Sequence, residues 1–273
     1  MNKADTPLVS VIMPVYNCEH TLEVAIDSII MQTYSNWELI VCDDCSTDKS
    51  LEILYQYKNK LGEKLIILRN EKNQRIAYSL NQCLKYVKGE FIARMDGDDI
   101  SLPDRLEKQI TFLKEHCDYD LVGTQMISFD EKGNHGVISV KENPDKWTLR
   151  TNTPFCHATI MCRSYVYKKL NGYTVSDKII RCEDVDLWFR FYQNNFKGYN
   201  LQIPLYKVRE DREAFKRRTF KHSLQASIVL FHGFKKLKFP FSSYIFVLKP
   251  IVSCFIPEKL KKYVKNSKRD KLL

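Results

Sequence analysis

The stretch Asp96-Gly97-Asp98-Asp99 has the residue types and spacing of a cation site. It follows an apolar, strand-like run over residues 91–95. Carboxylates clustered at the end of a strand repel one another unless a cation lies among them. A hard divalent ion with oxygen ligands is the simplest occupant. An acidic turn that caps a helix is the alternative, and these four residues alone leave both interpretations open.

The elements that must position these acids alternate between strands and amphipathic helices. Apolar runs at residues 8–14, 37–42, 64–68 and 91–95 predict four strands. Apolar residues at helical spacing predict helices after each of them, with Leu22, Leu51, Ile76 and Leu106 near their starts. Such alternation predicts βαβ units and therefore an α/β fold with a mostly parallel, Rossmann-like central sheet flanked by helices.

Three polar clusters directly follow strands of this predicted sheet, at residues 14–17, 42–44 and 96–98. Right-handed crossovers bring the carboxyl ends of parallel strands to one edge, where ligands of such sheets bind. We therefore expect the three clusters to converge. Ser46 and Thr47 are expected to cap the following helix, and Asp44 and Asp48 to serve mainly as caps.

Charge is unevenly distributed along the 273 residues. Residues 207–273 hold 18 Lys and Arg against 5 Asp and Glu, whereas residues 1–206 hold 25 against 28. The slightly acidic front part argues against nucleic acid as a partner, and the basic end favours an anionic surface. Within it, Phe220, Leu224, Ile228 and Phe231 form a helical apolar stripe, flanked by Lys216, Arg217, Arg218 and Lys221.

Several classes of site are disfavoured. With nine glycines, the chain contains no G-x-G-x-x-G, P-loop or G-x-S-x-G motif. Nine cysteines and a polar amino terminus predict reduced thiols in a cytosolic compartment. Cys42 and Cys45 have zinc-like spacing, but no second pair of that spacing accompanies them, so small buried cysteines are the preferred interpretation. Residues 239–257 are apolar but are broken by Lys249-Pro250, which predicts an interfacial rather than a membrane-spanning segment.

At these residues the chain resembles family 2 glycosyltransferases of the GT-A fold. The resemblance rests on four ordered segments: the opening strand at residues 9–17, Asp-Asp-Cys-Ser-Thr-Asp at 43–48, the D-x-D segment at 89–99, and Glu-Asp-Val-Asp-Leu-Trp at 183–188. Cys45 replaces the glycine that the family carries in the second segment. The resemblance covers residues 8–206, and the basic carboxyl-terminal quarter lies outside it.

The resemblance implies a donor site at the sheet edge. It makes Asp98 the direct ligand of Mn²⁺ or Mg²⁺, with Asp96 assisting the metal or holding the ribose. Asp43 would accept a hydrogen bond from the uracil imide, which suits an acceptor-only carboxylate. Tyr16 would lie against the face of the nucleotide base, Pro14 would belong to the same nucleotide-sugar site, and Arg75 would lie near the diphosphate. A turn acid, ordinary packing and a surface arginine are the structural alternatives for Asp43, Tyr16 and Arg75.

The resemblance also implies an acceptor site. It makes Asp184 the catalytic base that takes a proton from the acceptor hydroxyl, with Glu183 and Asp186 as competitors. All three acids could instead stabilise a helix amino terminus. His157 matches a family position near the acceptor or metal, although a lone histidine in an apolar stretch is more often a core residue.

These expectations define a metal-dependent, inverting transferase that uses a UDP-sugar. The acceptor is expected to be a saccharide, lipid-linked, in surface polysaccharide synthesis at the cytoplasmic face of the cell membrane. The catalytic domain is expected at 1–206, with a nucleotide half at 1–127 and an acceptor half at 128–206. Residues 207–273 form the basic helical segment, expected to contact an anionic membrane. A nucleotidyltransferase and a non-catalytic membrane-bound scaffold are the alternatives.

Overall fold

The computed structural model describes residues 6–210 and 219–257. Lys216, Arg217 and Arg218, which flank the apolar stripe in the sequence, lie outside these ranges, as do residues 258–273. The helices within the described ranges are α1 (Leu22–Ile30), α2 (Ser50–Leu61), α3 (Arg75–Leu84), α4 (Arg105–Glu115), α5 (Ser164–Leu170), α6 (Glu183–Gln193), α7 (Phe220–Lys236) and α8 (Lys249–Cys254). Short 3-10 helices occupy Gly62–Lys64, Lys146–Arg150, His157–Thr159 and Phe241–Leu248.

The strands form a single nine-stranded sheet. They are β1 (Val9–Val15), β2 (Trp37–Asp43), β3 (Leu65–Arg69), β4 (Phe91–Arg94), β5 (Ile100–Ser101), β6 (Leu121–Asp130), β7 (Gly133–Ile138), β8 (Met161–Arg163) and β9 (Gly198–Arg209). Their order is β3-β2-β1-β4-β8-β6-β9-β5, and β7 pairs with β6. The predicted α/β fold with a mostly parallel sheet is confirmed, because only β5, β7 and β8 run against the other strands.

Two apolar cores lie on opposite faces of the sheet. One contains α1, α2 and α4, through residues such as Leu22, Leu54 and Leu106. The other contains α3, α5, α6 and α7, with Trp188 and Phe234 among its largest side chains. Each helix shows apolar residues at helical spacing because one of its faces lies against the sheet or a neighbouring helix. The helices packed on both faces hold the strands in place, so the side chains at the strand ends have fixed positions.

Helix α7 packs directly on α6 rather than standing apart from the sheet. Gly233 provides the contact, since a Cβ atom there would lie 2.3 Å from Cδ2 of Phe189. The rings of Phe189 and Phe234 also meet edge to face, with centroids 5.8 Å apart. Strand β9 continues through Arg209, so the sheet extends beyond residue 206. In the described residues, no helix combines the length and hydropathy needed to span a bilayer.

Candidate active site

The three polar clusters meet at the carboxyl ends of β1, β2 and β4, as predicted. In the register of β1 and β2, Val15 lies opposite Asp43, and the Asp44 N–H donates to the Val15 carbonyl at 2.8 Å. The Thr21 hydroxyl donates to the Gly97 carbonyl at 3.0 Å, which joins the loop after β1 to the acidic stretch. One sheet edge therefore carries all three segments.

The three carboxylates of the acidic stretch differ in their partners and in their exposure to solvent. Asp96, Asp98 and Asp99 each offer an oxygen, and these oxygens lie within 4.8 Å of one another. Asp96 forms an ion pair with the buried guanidinium of Arg94. Asp99 is buried and accepts the N–H of Arg209 at 2.7 Å. Asp98 is exposed, so it is the carboxylate most open to a ligand.

The electrostatics of this cluster favour a cation. Although the Asp98 residue is exposed in part, the protein around its carboxyl group displaces much of the water there. That desolvation, followed by the negative charge of Asp96, raises the pKa of Asp98 to about 6. Burial, followed by the negative charges of Asp96 and Asp98, raises the pKa of Asp99 well above its ordinary value. A carboxylate set of this kind fits a hard divalent ion such as Mn²⁺ or Mg²⁺, which prefers oxygen ligands and offsets the mutual repulsion. Asp98, with Asp96 beside it, would hold that ion.

The predicted nucleotide residues occupy the neighbouring positions. Asp43 is fully buried at the end of β2, where it accepts the Ser46 N–H at 3.2 Å and faces Arg69 Nε at 3.6 Å. Pro14 is partly buried opposite Cys42 in the register of β1 and β2. The Tyr16 side chain is exposed at the edge, where a planar base could lie against it.

Arg75 begins α3 in a left-handed backbone conformation, with φ 70°. Two backbone N–H groups, those of Gln74 and Arg75, donate to the Asp44 carboxylate at 2.8 and 2.7 Å. Asp44 thus caps α3 and anchors the residue that the resemblance assigns to the diphosphate. This bears out its predicted capping role, although on a different helix from the one that follows it directly.

The cap of α2 differs from the expected one. The Asp48 carboxylate accepts the Ser50 N–H at 2.9 Å and so caps this helix, as expected of it. Ser46 and Thr47 do not cap α2. The Ser46 hydroxyl instead accepts the Asn17 N–H at 3.0 Å, and the Thr47 N–H donates to Asn17 Oδ1 at 2.9 Å. These bonds hold the loop after β1 against the loop after β2.

Three acids, Glu183, Asp184 and Asp186, lie in the first turn of α6. Burial, then the charge of Asp184, raises the pKa of Glu183 to about 7, and Arg94 and Asp96 also act on it. Asp184 lies one residue further in the first turn, and its Oδ1 accepts the Val185 N–H at 2.8 Å. Asp186 is bound to Arg190 Nε at 2.8 Å and to the Thr174 hydroxyl at 2.7 Å. Asp186 is therefore a structural residue, and the two acids before it are the candidates for a base.

His157 lies within an aromatic cluster that also contains Tyr173 and Trp188. Its Nε2 is 2.8 Å from the Tyr173 hydroxyl, and its ring meets that of Trp188 edge to face. Burial and the nearby charge of Arg94 hold the pKa of His157 well below its ordinary value. The imidazole is therefore neutral near pH 7 and supports the site by hydrogen bonding.

The comparisons with known proteins agree with this geometry. The profile of glycosyl transferase family 2 matches residues 10–170. The putative glycosyltransferase EpsE of Bacillus subtilis strain 168 is 48% identical over 267 residues, which cover 96% of each chain. This chain belongs to glycosyltransferase family 2. The family assignment gives no support to a nucleotidyltransferase or to a scaffold without activity.

Other relatives of this family 2 glycosyltransferase have more specific names. WfgD of Escherichia coli, a UDP-Glc:alpha-D-GlcNAc-diphosphoundecaprenol beta-1,3-glucosyltransferase, is 32% identical over 219 residues, or 80% of this chain and 83% of WfgD. Among solved structures, S. aureus TarS in complex with UDP superposes with a TM-score of 0.67 at 23% identity, over 94% of this chain and 78% of that one. At that identity the likeness shows the GT-A fold alone.

The structure adds residues that sequence reasoning did not single out. Arg94 is buried behind Asp96, and Arg105 is fully buried with its guanidinium 4.9 Å from the centre of the Tyr206 ring. The Tyr206 hydroxyl accepts the Asp96 N–H at 3.1 Å. Arg209 Nε donates to the Asp98 carbonyl at 3.2 Å. Of these residues, only Arg94 could have been noticed in the sequence, because it is a charged residue within an apolar strand.

Proposed function

We propose that this protein is an inverting, metal-dependent glycosyltransferase that moves a sugar from a UDP-sugar to a hydroxyl of a lipid-linked saccharide in surface polysaccharide synthesis. One observation carries the proposal: the loops after β1, β2 and β4 meet at one sheet edge, and this edge carries the carboxylate cluster of Asp96, Asp98 and Asp99. Glu183 and Asp184 begin α6, and Glu183 lies close enough to the cluster for Asp96 to have a minor effect on its pKa. A sugar bound between these groups would have its departing diphosphate on one side and a base on the other.

The chain's own residues supply the donor site. Asp43 accepts the imide N–H of uracil, Pro14 and Tyr16 bound the base, and Arg75 donates to a diphosphate oxygen. An ion held by Asp98 and Asp96 would offset the charge that develops on the departing diphosphate. Arg94, buried behind Asp96, holds that carboxylate in place.

The transfer itself needs one base. Asp184 takes the proton of the acceptor hydroxyl while its oxygen forms a bond to the anomeric carbon. The bond between that carbon and the phosphate oxygen breaks in the same displacement, and its electron pair leaves with UDP. Because the acceptor attacks from the face opposite UDP, the configuration inverts. Glu183 flanks the base, and its charge state sets the local potential.

The acceptor assignment draws on the name of WfgD. The membrane assignment draws on exposed apolar side chains between residues 220 and 255. The name of WfgD specifies a UDP-sugar and a diphosphoundecaprenol-linked acceptor. In this chain, exposed apolar side chains recur along α7, along the 3-10 helix at Phe241–Leu248 and at the end of α8: Phe220, Leu224, Ile228, Phe231, Phe241, Ile245, Leu248, Val252 and Phe255. We call these nine residues the apolar surface. Together with the basic end of the chain, they fit the interface of an anionic membrane.

Donor hydrolysis tests this function. With Mn²⁺ present, the purified full-length protein should release UDP slowly from one member of a panel of UDP-sugars. Asp98→Ala should abolish that release, whereas Asp118→Ala, which alters an exposed acid paired with Lys197, should leave it unchanged. Release that is indifferent to Asp98, or to removal of metal by EDTA, would refute the metal-dependent mechanism.

Membrane binding has its own test. Liposomes rich in phosphatidylglycerol should carry the wild-type protein upward in a flotation gradient at low salt. Changing Phe241 and Phe255, the most exposed members of the apolar surface, to serine should leave the protein at the bottom. Equal flotation of wild type and variant would place the membrane contact elsewhere.

A further inference from the structure

A cavity of about 900 Å³ opens beside the proposed catalytic acids. Its walls are the start of α3, the loop 174–181 and the first two turns of α7, and Glu183 is among the lining residues. We call it the α3–α7 cavity. Its volume lies in the range of cavities that bind small ligands, about 300–1,000 Å³. The proposed function assigns nothing to the α7 side of this cavity.

The lining of the cavity is rich in cationic side chains. Four lysine and arginine side chains contribute to it, against the two carboxylates of Asp177 and Glu183: Lys72, Arg75, Arg181 and Lys221. His222 adds an imidazole to the same lining. The only ion pair between its lining residues in the described chain joins Arg75 Nη1 to Asp177 at 3.5 Å, and that carboxylate is 99% exposed. Such an exposed pair contributes little and can open for a ligand. The cavity is therefore suited to a compact anion.

Two of these cations occupy backbone positions that arginine rarely adopts. Arg75 has φ 70° and Arg181 has φ 59°, both in the left-handed region that favours glycine or asparagine. Each such residue costs on the order of 1 kcal/mol, and residues of this kind cluster at functional sites. The chain has an arginine at both places beside one cavity, although glycine or asparagine would be less strained there.

The apolar surface reaches the same end of α7. Phe220 is the first residue of the helix and is exposed next to Lys221 of the cavity. The Cys254 thiol lies 2.8 Å from the Ser223 hydroxyl, so the end of α8 lies beside the first turn of α7. Exposed Val252 and Phe255 therefore lie near Phe220. A lipid chain on this surface would place its polar head beside the cavity.

We propose that the α3–α7 cavity binds the diphosphate of a lipid-linked acceptor, an inference that rests on the proposed function. The donor diphosphate is assigned to the edge beyond β4, with Asp98, whereas Lys221 and His222 come from a helix outside the segment that the family profile matches. An acceptor anchored through its diphosphate in this cavity would have its sugar beside Glu183 and Asp184. Arg181, Lys221 and His222 then hold the acceptor, whereas Arg75 at the edge of the cavity stays with the donor diphosphate.

Binding of inorganic pyrophosphate tests the site without any reaction. Isothermal titration of the metal-free, full-length protein in EDTA should show binding. Lys221→Glu should weaken it about tenfold or more, because a charge-assisted bond is lost and a like charge is added. Lys236→Glu is the matched control, since it alters an exposed lysine at the other end of α7. That control and Asp98→Ala should not weaken binding.

Helix stability cannot explain the expected result. A glutamate in the first turn of α7 interacts favourably with the helix dipole, whereas one in the last turn interacts unfavourably. If a loss of helix stability governed binding, Lys236→Glu would be the more damaging change. Absence of pyrophosphate binding, or an equal loss in both lysine variants, would overturn the proposal.

Transfer assays separate this inference from the proposed function. The probes are GlcNAc diphosphate on a short phenoxyalkyl chain and the matching alkyl GlcNAc glycoside, both without membranes, with the donor found by UDP release. Lys221→Glu should raise KM for the diphosphate acceptor about tenfold, and should leave KM for the donor and donor hydrolysis unchanged. An unchanged acceptor KM would refute the cavity assignment. Intact pyrophosphate binding without transfer to either probe, or to any other acceptor, would refute the proposed function alone.

Discussion

The roles of Glu183 and Asp184 can be separated by replacing each with its amide. Asp184→Asn removes the proposed base and leaves the nucleotide site intact, so transfer should fall about 10²- to 10⁴-fold, the contribution typical of a general base. Binding of UDP, measured by titration calorimetry, should be unchanged. Glu183→Gln should retain transfer within about tenfold, because its role is electrostatic rather than chemical.

The pKa of Glu183 gives the pH dependence of this pair. With a pKa of about 7, its carboxyl group is about one-tenth ionised at pH 6 and about nine-tenths ionised at pH 8. Ionised Glu183 adds negative charge beside Asp184 and so favours proton uptake by the base. In the wild type, kcat/KM for the acceptor should therefore rise between pH 6 and 8, with a midpoint near 7. Glu183→Gln should remove this midpoint.

If Glu183 rather than Asp184 is the base, the two variants should behave differently. Glu183→Gln would lose transfer as severely as a base deletion. Asp184→Asn would then keep a titrating profile with its midpoint moved below that of the wild type, because the charge of Asp184 helps to raise the pKa of Glu183. Steady-state kinetics of both variants at five pH values, with coupled detection of UDP, distinguishes the two cases. A severe loss in Glu183→Gln with near-normal transfer in Asp184→Asn would refute the assignment of Asp184.

Three further predictions concern stability. Because burial raises the pKa of Glu183, ionisation of its carboxyl group opposes folding. The free energy of unfolding should therefore fall as the pH rises from about 4.5 to 7. Glu183→Gln should raise the melting temperature at pH 8 but not at pH 5. Asp44→Ala should lower the free energy of unfolding by about 2 kcal/mol in urea titrations, because it strips two N–H groups of α3 of their acceptor, whereas Asp118→Ala should not. Gly233→Ala should destabilise the protein by about 1–3 kcal/mol, because the added Cβ meets the buried Phe189 ring, outweighing the better helix propensity of alanine; His232→Ala in the same turn is the control.

Much of the sheet edge could be predicted because its determinants are local. Apolar runs and helical spacing fixed β1 to β4 and α1 to α4, and chain direction alone then placed three polar clusters together. The second half of the sheet offered weaker signals. Strand β8 has only three residues, and it pairs antiparallel with β4, about 70 positions earlier in the chain. That pairing depends on contacts between distant segments, which no short pattern encodes.

The individual site residues show the same limit. Asp44 and Asp48 were expected to cap helices, and both do, but Asp44 caps α3 across a gap of some 30 residues. Its target depends on how β2 and β3 bring two loops together. Arg105 could not be distinguished from a solvated helix residue, because its burial arises from contacts with β4, with the segment before β8 and with Tyr206 of β9 rather than from its own neighbours in sequence.

The two buried arginines explain how a crowded acidic edge can fold. Three carboxylates within a few ångströms would oppose folding, and Arg94 compensates one of them by pairing with Asp96. Arg105 then donates to the carbonyl of Arg94 at 2.7 Å and to those of Ala158 and Ile160. These bonds tie β4 to the segment that leads into β8. The buried charge thus holds the β4–β8 junction and leaves Asp98 as the exposed carboxylate, so the geometry of the motif depends on residues outside it.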